Sequence, residues 1–296
     1  MKKLLAFTLG TMISWASVLS LAKEEAPSVT TSAINNTLHL LQGKGGNVMA
    51  SIGADGILII DDDYKEYASA YHEALKELSK SEGLPRFVIN THWHSDHVGG
   101  NDYWGTRGAV IMAHENVYQR MSTRQEMKAF NRVVEASPGP ALPIVTYDQS
   151  STVRFNKQQI ELQHFAQGHT DGDSVVFFVE DNVVHMGDHY FKDRFPFVDI
   201  GSGGNVFSYT ANVAAILKRV DDQTVIVPGH GSLASRTDLE RYLDMLETTS
   251  AEVSSKLDQG LSVEQITEQG LGEQWESWGQ GFINEAAWIQ FIAGSR

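Results

Sequence analysis

The chain has 296 residues, of which 42% are hydrophobic, so it can bury the core of a large domain without disulfides. It contains no cysteine, and any metal site must therefore use His, Asp or Glu. Its formal net charge of −14 argues against nucleic acid as a partner, because binding nucleic acid requires a basic surface.

The first 22 residues are predicted to be a secretory signal peptide. Two lysines begin the segment, residues 4–21 are mainly apolar, and Ser20-Leu21-Ala22 offers small residues at a cleavage site. Cleavage would remove two positive charges from −14, leaving −16. We expect a periplasmic or secreted protein, with residues 23–296 as one domain and no stable membrane insertion after cleavage. The alternative is that the segment stays as a membrane anchor.

The first half of the chain is predicted to place strands before helices. Apolar residues alternate or cluster in short runs that are typical of strands, and recur at helical spacing elsewhere. In chain order the predicted elements are a hairpin of strands 47–52 and 56–60, a helix over 64–80, strands 86–89 and 109–112, and a helix over 117–135. Pro138 is expected to stop the last helix.

The second half has the same organisation. Its predicted elements are strands 160–162, 174–179, 183–186 and 224–227, a helix over 207–220, and a helix over 237–258 that begins a helical C-terminal extension. We expect Trp275, Trp278 and Trp288 in this extension to pack against the core. His and Asp follow several strands, which predicts a layered α/β fold with its chemistry at strand ends.

The densest group of candidate ligands is the segment from His92 to His97, H-x-H-x-D-H, directly after the strand that ends near Asn90. In an extended segment His92 and His94 point the same way, and a turn would bring Asp96 and His97 back toward them. Neutral imidazole and carboxylate are ligands that suit zinc. The pattern therefore predicts a metal site at this corner.

Three further candidate ligands each stand beside glycine at a strand end: His169 in G-H-T, Asp188 in G-D and His230 in P-G-H. Glycine lets the backbone turn sharply and approach a site closely. A lone His is more often a structural residue. Together with the His92–His97 segment, the three motifs favour a metal site with ligands from both halves of the chain.

In this order the motifs H-x-H-x-D-H, G-H-T, G-D and P-G-H resemble those of the metallo-β-lactamase superfamily, and the hairpin between Gly45 and Asp61 resembles its opening. The resemblance covers roughly residues 35–245. It implies an α/β fold, a four-layer αββα sandwich, with the site in a cleft at one edge between the two sheets.

The resemblance also implies two divalent ions, with Zn²⁺ as the preferred metal. Seven residues match the family's ligands: His92, His94 and His169 for the first ion, Asp96, His97 and His230 for the second, and Asp188 as a bridge between them. Asp61 matches an aspartate that holds a ligand loop or imidazole in place.

Two such ions, about 3.5–4 Å apart, can share a hydroxide that attacks the substrate. Asp96, which can orient the nucleophile, and Asp188 are the candidate catalytic residues. The sequence thus predicts a zinc-dependent hydrolase acting on the acyl bond of a small molecule: an ester, lactone, lactam or thioester. Export makes a true zinc β-lactamase a plausible alternative, although one lactamase group has Cys where Asp188 stands, and another lacks the bridging Asp.

Other classes fit less well. Relatives that hydrolyse glutathione thioesters have a basic C-terminal region, whereas residues 237–296 hold only Arg241, Lys256 and Arg296 as basic residues. Phosphodiesterase relatives usually carry further His or basic elements. A mononuclear iron oxygenase would not need both Asp188 and His230, and a non-catalytic metal-binding module would be expected to lose ligands. The oligomeric state is left open.

The remaining side chains near the motifs have weaker signals. Six histidines are expected to lie outside the metal site: His39, His72, His114, His164, His185 and His189. Of these, His114 and His189 are the candidates for residues that line the pocket. Aromatic residues after Asp188 are expected to line an apolar pocket: Tyr190, Phe191, Phe195 and Phe197. Lys192 or Arg194 could hold a substrate carboxylate, but the acidic chain favours neutral or weakly charged substrates.

Overall fold

The computed structural model describes residues 26–296. The predicted signal peptide, residues 1–22, lies outside this range. Among the described residues, no helix combines the length and the apolar character that crossing a bilayer would require.

Residues 26–296 form fourteen strands and eight α-helices. The strands are β1 (Thr30–Ala33), β2 (Leu38–Gln42), β3 (Val48–Gly53), β4 (Gly56–Ile60), β5 (Phe87–Ile89), β6 (Val110–His114), β7 (Gln125–Met127), β8 (Arg132–Val134), β9 (Val145–Tyr147), β10 (Ser150–Phe155), β11 (Gln158–His164), β12 (Ser174–Phe178), β13 (Val183–His185) and β14 (Val225–Val227). The helices are α1 (Ala68–Ser79), α2 (Ser95–Val98), α3 (Asn101–Gly105), α4 (Glu115–Met121), α5 (Val206–Leu217), α6 (Arg236–Asp258), α7 (Val263–Gln269) and α8 (Glu285–Gly294).

The strands form two mixed sheets and one separate hairpin. The first sheet has the order β1-β2-β3-β4-β5-β6-β9, the second has the order β10-β11-β12-β13-β14, and β7 pairs only with β8. From β4 to β9 the neighbours are parallel, as are β13 and β14, while the other pairs are antiparallel. Parallel neighbours end on the same side, so the loops after β4 and β5, and those after β13 and β14, collect together.

Alternation of side chains along the strands builds four layers. In β4, Leu58 and Ile60 belong to the core between the two sheets, whereas Ile57 and Ile59 pack in the core that includes α1 and α3. Strand β12 alternates in the same way between the inter-sheet core and the core formed with α5, α6 and α8. The predicted four-layer αββα sandwich is confirmed.

The prediction of a helix over residues 117–135 is wrong after Met121. Helix α4 ends at Met121, because the hydroxyls of Ser122 and Thr123 bond back to Gln119 O and the Ser137 N–H donates to Met121 O at 2.7 Å. The chain then turns through Asn131, which adopts a left-handed conformation with φ of 48°. The result is the hairpin of β7 and β8, which projects over the functional edge.

The C-terminal helices pack on the second sheet. Residues of α6, α7 and α8 share one core with α5 and with the outer face of β12 and β13. Trp275, Trp278 and Trp288 are all buried in this core, as expected from the sequence.

Candidate metal centre

The two halves of the chain meet at the edge where these strands end. The residues predicted as ligands come together there in two groups, each with its ligand atoms within 4.8 Å of one another: His92, His94, His169 and Asp188 in the first, and Asp96, His97 and His230 in the second. Three of these residues come directly after strands: His92 follows β5, Asp188 follows β13 and His230 follows β14.

The Asp188 carboxylate joins the two groups. Its Oδ2 lies 3.3 Å from His169 Nε2 and 3.8 Å from His92 Nε2. Its Oδ1 lies 3.1 Å from His97 Nε2 and 3.5 Å from His230 Nε2. Each oxygen therefore faces a different group of ligand atoms.

Four imidazoles form a hydrogen bond through the ring nitrogen that faces away from the cluster. His94 Nε2 bonds Asp199 Oδ2 at 3.0 Å, and His169 Nδ1 bonds the Phe197 carbonyl at 2.7 Å. His97 Nδ1 bonds Asp61 Oδ2 at 2.7 Å. His92 Nδ1 bonds Thr91 Oγ1 at 3.0 Å, and that hydroxyl donates to Asp61 Oδ2. These partners are acceptors for ring N–H groups, so each fixes which ring nitrogen faces the cluster.

The inward nitrogens consequently point at one another. His94 Nδ1 and His169 Nε2 are 2.7 Å apart, and the opposite nitrogen of each ring is already hydrogen-bonded. His92 Nε2 is buried without a hydrogen-bond partner among residues 26–296, and Asp188 Oδ1 lacks a hydrogen bond of good geometry within the same range. Buried polar atoms are normally satisfied, so this donor set fits divalent cations.

Burial and mutual charge keep His92, His169 and Asp188 in their metal-binding forms. Burial, together with the neighbouring His97, holds the pKa of His92 well below its usual value, and burial lowers the pKa of His169 to about 4. Burial alone would raise the pKa of Asp188, but the imidazoles around it, His97 first, hold that pKa well below its usual range. Neutral imidazole and ionised carboxylate are the forms that bind metal.

The pKa of His97 shifts in the opposite direction. Burial alone would lower its pKa, but the carboxylates of Asp188, Asp61 and Asp96 outweigh that effect and raise the pKa of His97 well above its usual value. Negative charge is therefore in surplus on this side of the cluster.

Asp199 is a site residue that the sequence analysis missed. Its carboxylate holds His94, its own N–H donates to the His169 carbonyl at 2.9 Å, and Ser202 N–H in turn donates to it. Asp199 thus ties two ligands of the first group together. No spacing or flanking glycine motif in the sequence marks it, whereas the role of Asp61 was implied by the resemblance to the superfamily.

Two glycines are required because a side chain would enter the cluster. A Cβ at Gly46 would overlap the His97 ring, and a Cβ at Gly229 would overlap Asp188 Oδ1. The loop that contains Gly46 is fixed to the site, since Gly46 N–H donates to the Asp96 carbonyl at 3.0 Å and Gly45 N–H to Asp63 Oδ1 at 2.8 Å.

A cleft of about 470 Å³ opens beside the cluster. Asp96 and His230 are about one-fifth exposed and face it, whereas His92, His97 and His169 are buried. The remaining lining is mainly aromatic and cationic: Lys44, Gly45, Tyr64, His94, Ser95, Met127, Phe130, Arg132, Asp188, Phe191, Arg194, Phe195, Phe197, Phe282 and Ile283. A wider groove of about 830 Å³ along α1 shares no lining residue with the cluster.

Several expectations about the neighbouring residues need correction. Tyr190 packs against Tyr242 in the core instead of lining the cleft with Phe191, Phe195 and Phe197. Lys192 Nζ is bound to the Leu233 carbonyl at 2.7 Å, which leaves Arg194 as the cation of that segment in the cleft.

The two histidines considered as pocket residues are also engaged elsewhere in the described structure. His114 stacks on His164 with ring centroids 3.7 Å apart, and its Nε2 bonds the Asp148 carbonyl. His189 is buried and stacks on Tyr209. Neither lines the cleft that the described residues form.

Comparisons with known proteins place this architecture. Residues 58–230, more than half of the chain, match the family model described as the metallo-beta-lactamase superfamily. A metallo-beta-lactamase type 2 of Elizabethkingia meningoseptica is 23% identical over 252 residues, which cover 79% of this chain and 94% of that protein. A protein of the same name from Bacillus cereus is 22% identical over 237 residues, which cover 76% and 85% respectively.

Solved structures agree on the fold. The DIM-1 metallo-beta-lactamase superposes with a TM-score of 0.61 at 16% identity, covering 76% of this chain and 99% of its own. The metallo-beta-lactamase from Pontibacter korlensis superposes with a TM-score of 0.58 at 19% identity, covering 74% and 99%. The family match and the His/Asp cluster together support a metal-dependent hydrolase. This chain therefore belongs to the metallo-β-lactamase superfamily.

Proposed function

We propose that the chain is a zinc-dependent hydrolase that holds two ions and cleaves an acyl bond: an ester, lactone, lactam or thioester. His92, His94 and His169 would hold the first ion, Asp96, His97 and His230 the second, and Asp188 would bridge them. The observation that carries this proposal is that His92, His97 and His169, each hydrogen-bonded through its outer ring nitrogen, place their inner nitrogens within 3.8 Å of the two oxygens of Asp188. His94, bound through its outer nitrogen to Asp199, belongs to the same group of ligand atoms.

Divalent ions at this position would activate water as the nucleophile and polarise the bond under attack. Water cleaves the acyl bond and gives a carboxylate and a protonated leaving group, and one proton is released where that leaving group is a neutral alcohol or thiol. Asp96 is partly exposed at the cleft, where its carboxylate can orient the attacking water. Asp188 offsets the repulsion between two cations, and the buried imidazoles keep solvent away from the inner side of the cluster.

The cleft supports an acyl substrate with apolar substituents. Its walls contain Phe130, Phe191, Phe195, Phe197 and Phe282. Aromatic walls suit a carbonyl substrate with hydrophobic groups.

A β-lactamase is the second candidate, favoured by the names of the two similar proteins. The chain has no cysteine, and Asp188 stands where the lactamases with the best-known ligand set have one. We therefore rank lactam hydrolysis as a slow side activity and propose a preference for neutral or weakly charged acyl substrates.

Elemental analysis tests the metal part of this proposal. After loading with zinc and removal of free metal, we expect about two ions per chain, because two donor groups share one bridging carboxylate. A value of one that remains one in Asp188→Ala would contradict the dinuclear proposal.

A hydrolysis panel tests the substrate part. The zinc-loaded protein is assayed with esters, lactones, thioesters, phosphodiesters, penicillins, cephalosporins and carbapenems, and kcat/KM values are compared. We expect the highest values for esters or lactones. Lactam turnover at ~10⁶ M⁻¹s⁻¹ or above, well inside the usual enzyme range, would make the protein a true lactamase instead.

We also propose that the protein is exported to the periplasm or secreted after cleavage behind Ala22. Expression of the full chain in a bacterial host, followed by fractionation and N-terminal sequencing, should give a protein that begins at Lys23. An uncleaved protein in the membrane fraction would favour the anchor instead.

A further inference from the structure

A continuous row of aromatic rings runs from the metal cluster to the surface of the cleft. The His94 ring lies 5.7 Å from Phe197, Phe197 lies 4.8 Å from Phe130, and Phe130 lies 5.4 Å from Phe282, measured between ring centroids. These separations are those of aromatic rings in direct contact. We call Phe197, Phe130 and Phe282 the aromatic row.

Three separate segments supply this row. Phe197 follows Asp188 in the chain, Phe130 lies in the hairpin of β7 and β8, and Phe282 lies in the C-terminal segment before α8. Exposure rises outward along the row, from 5% for Phe197 to 39% for Phe130 and 73% for Phe282. Exposing two neighbouring aromatic side chains to water costs free energy, and such patches beside a cavity usually bind an apolar group.

The row belongs to the wall of the cleft and does not form a separate patch. All three rings line the same cavity as Asp96, Asp188 and His230, and Met127 and Ile283 extend the apolar surface beside them. A substrate whose reactive carbonyl lies at Asp96 and Asp188 would therefore have its acyl substituent beside the rings. The occupant that fits is a flexible apolar chain attached to the bond that is cut.

We infer that the aromatic row binds the acyl chain of the substrate, so the preferred substrates carry a long apolar acyl group. This inference rests on the proposed acyl hydrolysis for the position of the carbonyl. Phe282 contributes as a specificity residue from the C-terminal segment. Each methylene buried against the rings should raise kcat/KM up to about fourfold.

Chain-length dependence is the direct test. The zinc-loaded enzyme is assayed with p-nitrophenyl acetate, butyrate and octanoate, and kcat/KM should rise at least tenfold from acetate to octanoate. In Phe282→Ala the ratio of octanoate to acetate should fall at least tenfold. Because Phe282 is 73% exposed, this change should leave the thermal unfolding midpoint almost unaltered.

Phe207→Ala is the matched control. Phe207 is also an exposed phenylalanine, 38% accessible, but it lies on α5 outside the lining that the described residues give the cleft. Its substitution should leave the octanoate-to-acetate ratio unchanged. A ratio near one in the wild-type enzyme, or an equal loss in both variants, would overturn the inference.

A binding measurement separates this inference from the proposed function. Calorimetric titration of the zinc-loaded protein with sodium acetate and sodium octanoate should give at least tenfold tighter binding of octanoate, and Phe282→Ala should remove that preference. If none of the esters, lactones, lactams and thioesters is hydrolysed but this preference is present, acyl hydrolysis is wrong and the apolar chain site stands. If octanoate binds no better than acetate, the inference fails whatever the enzyme hydrolyses.

Discussion

At the scale of single residues, the centre depends on the use of both nitrogens of each imidazole. The outward nitrogen of His94 is held by Asp199 and that of His97 by Asp61, which leaves the inward nitrogens free for metal. An imidazole without such a partner could rotate or take the other tautomer, and it would then present a proton where the ion must bind.

Asp199 gives a test of this dependence. In Asp199→Ala we expect about 10- to 100-fold weaker zinc binding, because His94 loses the acceptor that fixes its tautomer. Asp199→Asn keeps an acceptor oxygen and should recover part of the affinity. The measurement is competition for zinc with a chelating dye. Asp148→Ala removes an exposed carboxylate and serves as the control, and equal affinities in all four proteins would contradict the assigned role.

Asp188→Asn tests the bridging carboxylate. The amide keeps the shape of the side chain but removes the charge that offsets two cations, so we expect the loss of one bound ion and a fall in kcat on the order of 100-fold. Metal content and turnover are measured together, and circular dichroism checks the fold. Full metal content with near-normal turnover would show that Asp188 does not bridge.

At the scale of elements, the site is built from strand ends and the glycine-containing loops that follow them. Strands β13 and β14 are parallel neighbours, so Asp188 and His230 emerge side by side. Gly229 lies between them in space and lets the two loops touch, with its N–H donating to the Gly187 carbonyl at 2.8 Å. The loop of His169 is fixed by Asp171, which forms a two-point ion pair with Arg120 of α4.

Gly229→Ala should damage the centre without unfolding the protein. The added Cβ would overlap Asp188 Oδ1, so the carboxylate must move and the second ion should bind at least tenfold more weakly. Gly139→Ala is the control, since a Cβ there points into open space. The comparison uses zinc affinity and turnover, and equal behaviour of the two variants would argue against close approach at Gly229.

At the scale of the whole molecule, the cluster brings together loops from both sheets of the sandwich. His92, His94 and His97 come from a loop of the first sheet, whereas Asp188 and His230 come from loops of the second. Without metal, five imidazoles and two carboxylates would lie close together, with His92 Nε2 and Asp188 Oδ1 buried and without hydrogen bonds among the described residues. The bound ions should therefore contribute to folding stability as well as to chemistry.

Metal removal tests this contribution. A ligand present at 1,000 times its dissociation constant stabilises the folded state by about 4 kcal/mol, so chelation should lower the unfolding midpoint on the order of 10 °C for a protein of this size. Zinc should restore the midpoint. Asp188→Asn, with fewer ions to lose, should show a smaller drop, and an unchanged midpoint in the wild-type protein would contradict the prediction.

The ligand motifs and several strands could be predicted from neighbouring residues in the chain. The segment from His92 to His97 could be recognised because its candidate ligands are neighbours in the chain, and β4 and β12 because their apolar residues alternate or run continuously. Asp188 and His230 could be located because each stands beside glycine at the end of a strand. The resemblance of these motifs to those of the superfamily then implied the role of Asp61 and the four-layer fold.

The β7–β8 hairpin and the positions of Asp199 and Phe282 depend on contacts between segments that are distant in the chain. The segment 117–135 has apolar residues that fit a helix, but hydroxyl caps at Ser122 and Thr123 end α4, and the following residues gain contacts as a hairpin over the cleft. Asp199 and Phe282 lie far from the ligand motifs in the chain, so no spacing could connect them with the site. Their roles depend on hydrogen bonds and ring contacts that exist only when distant segments pack together.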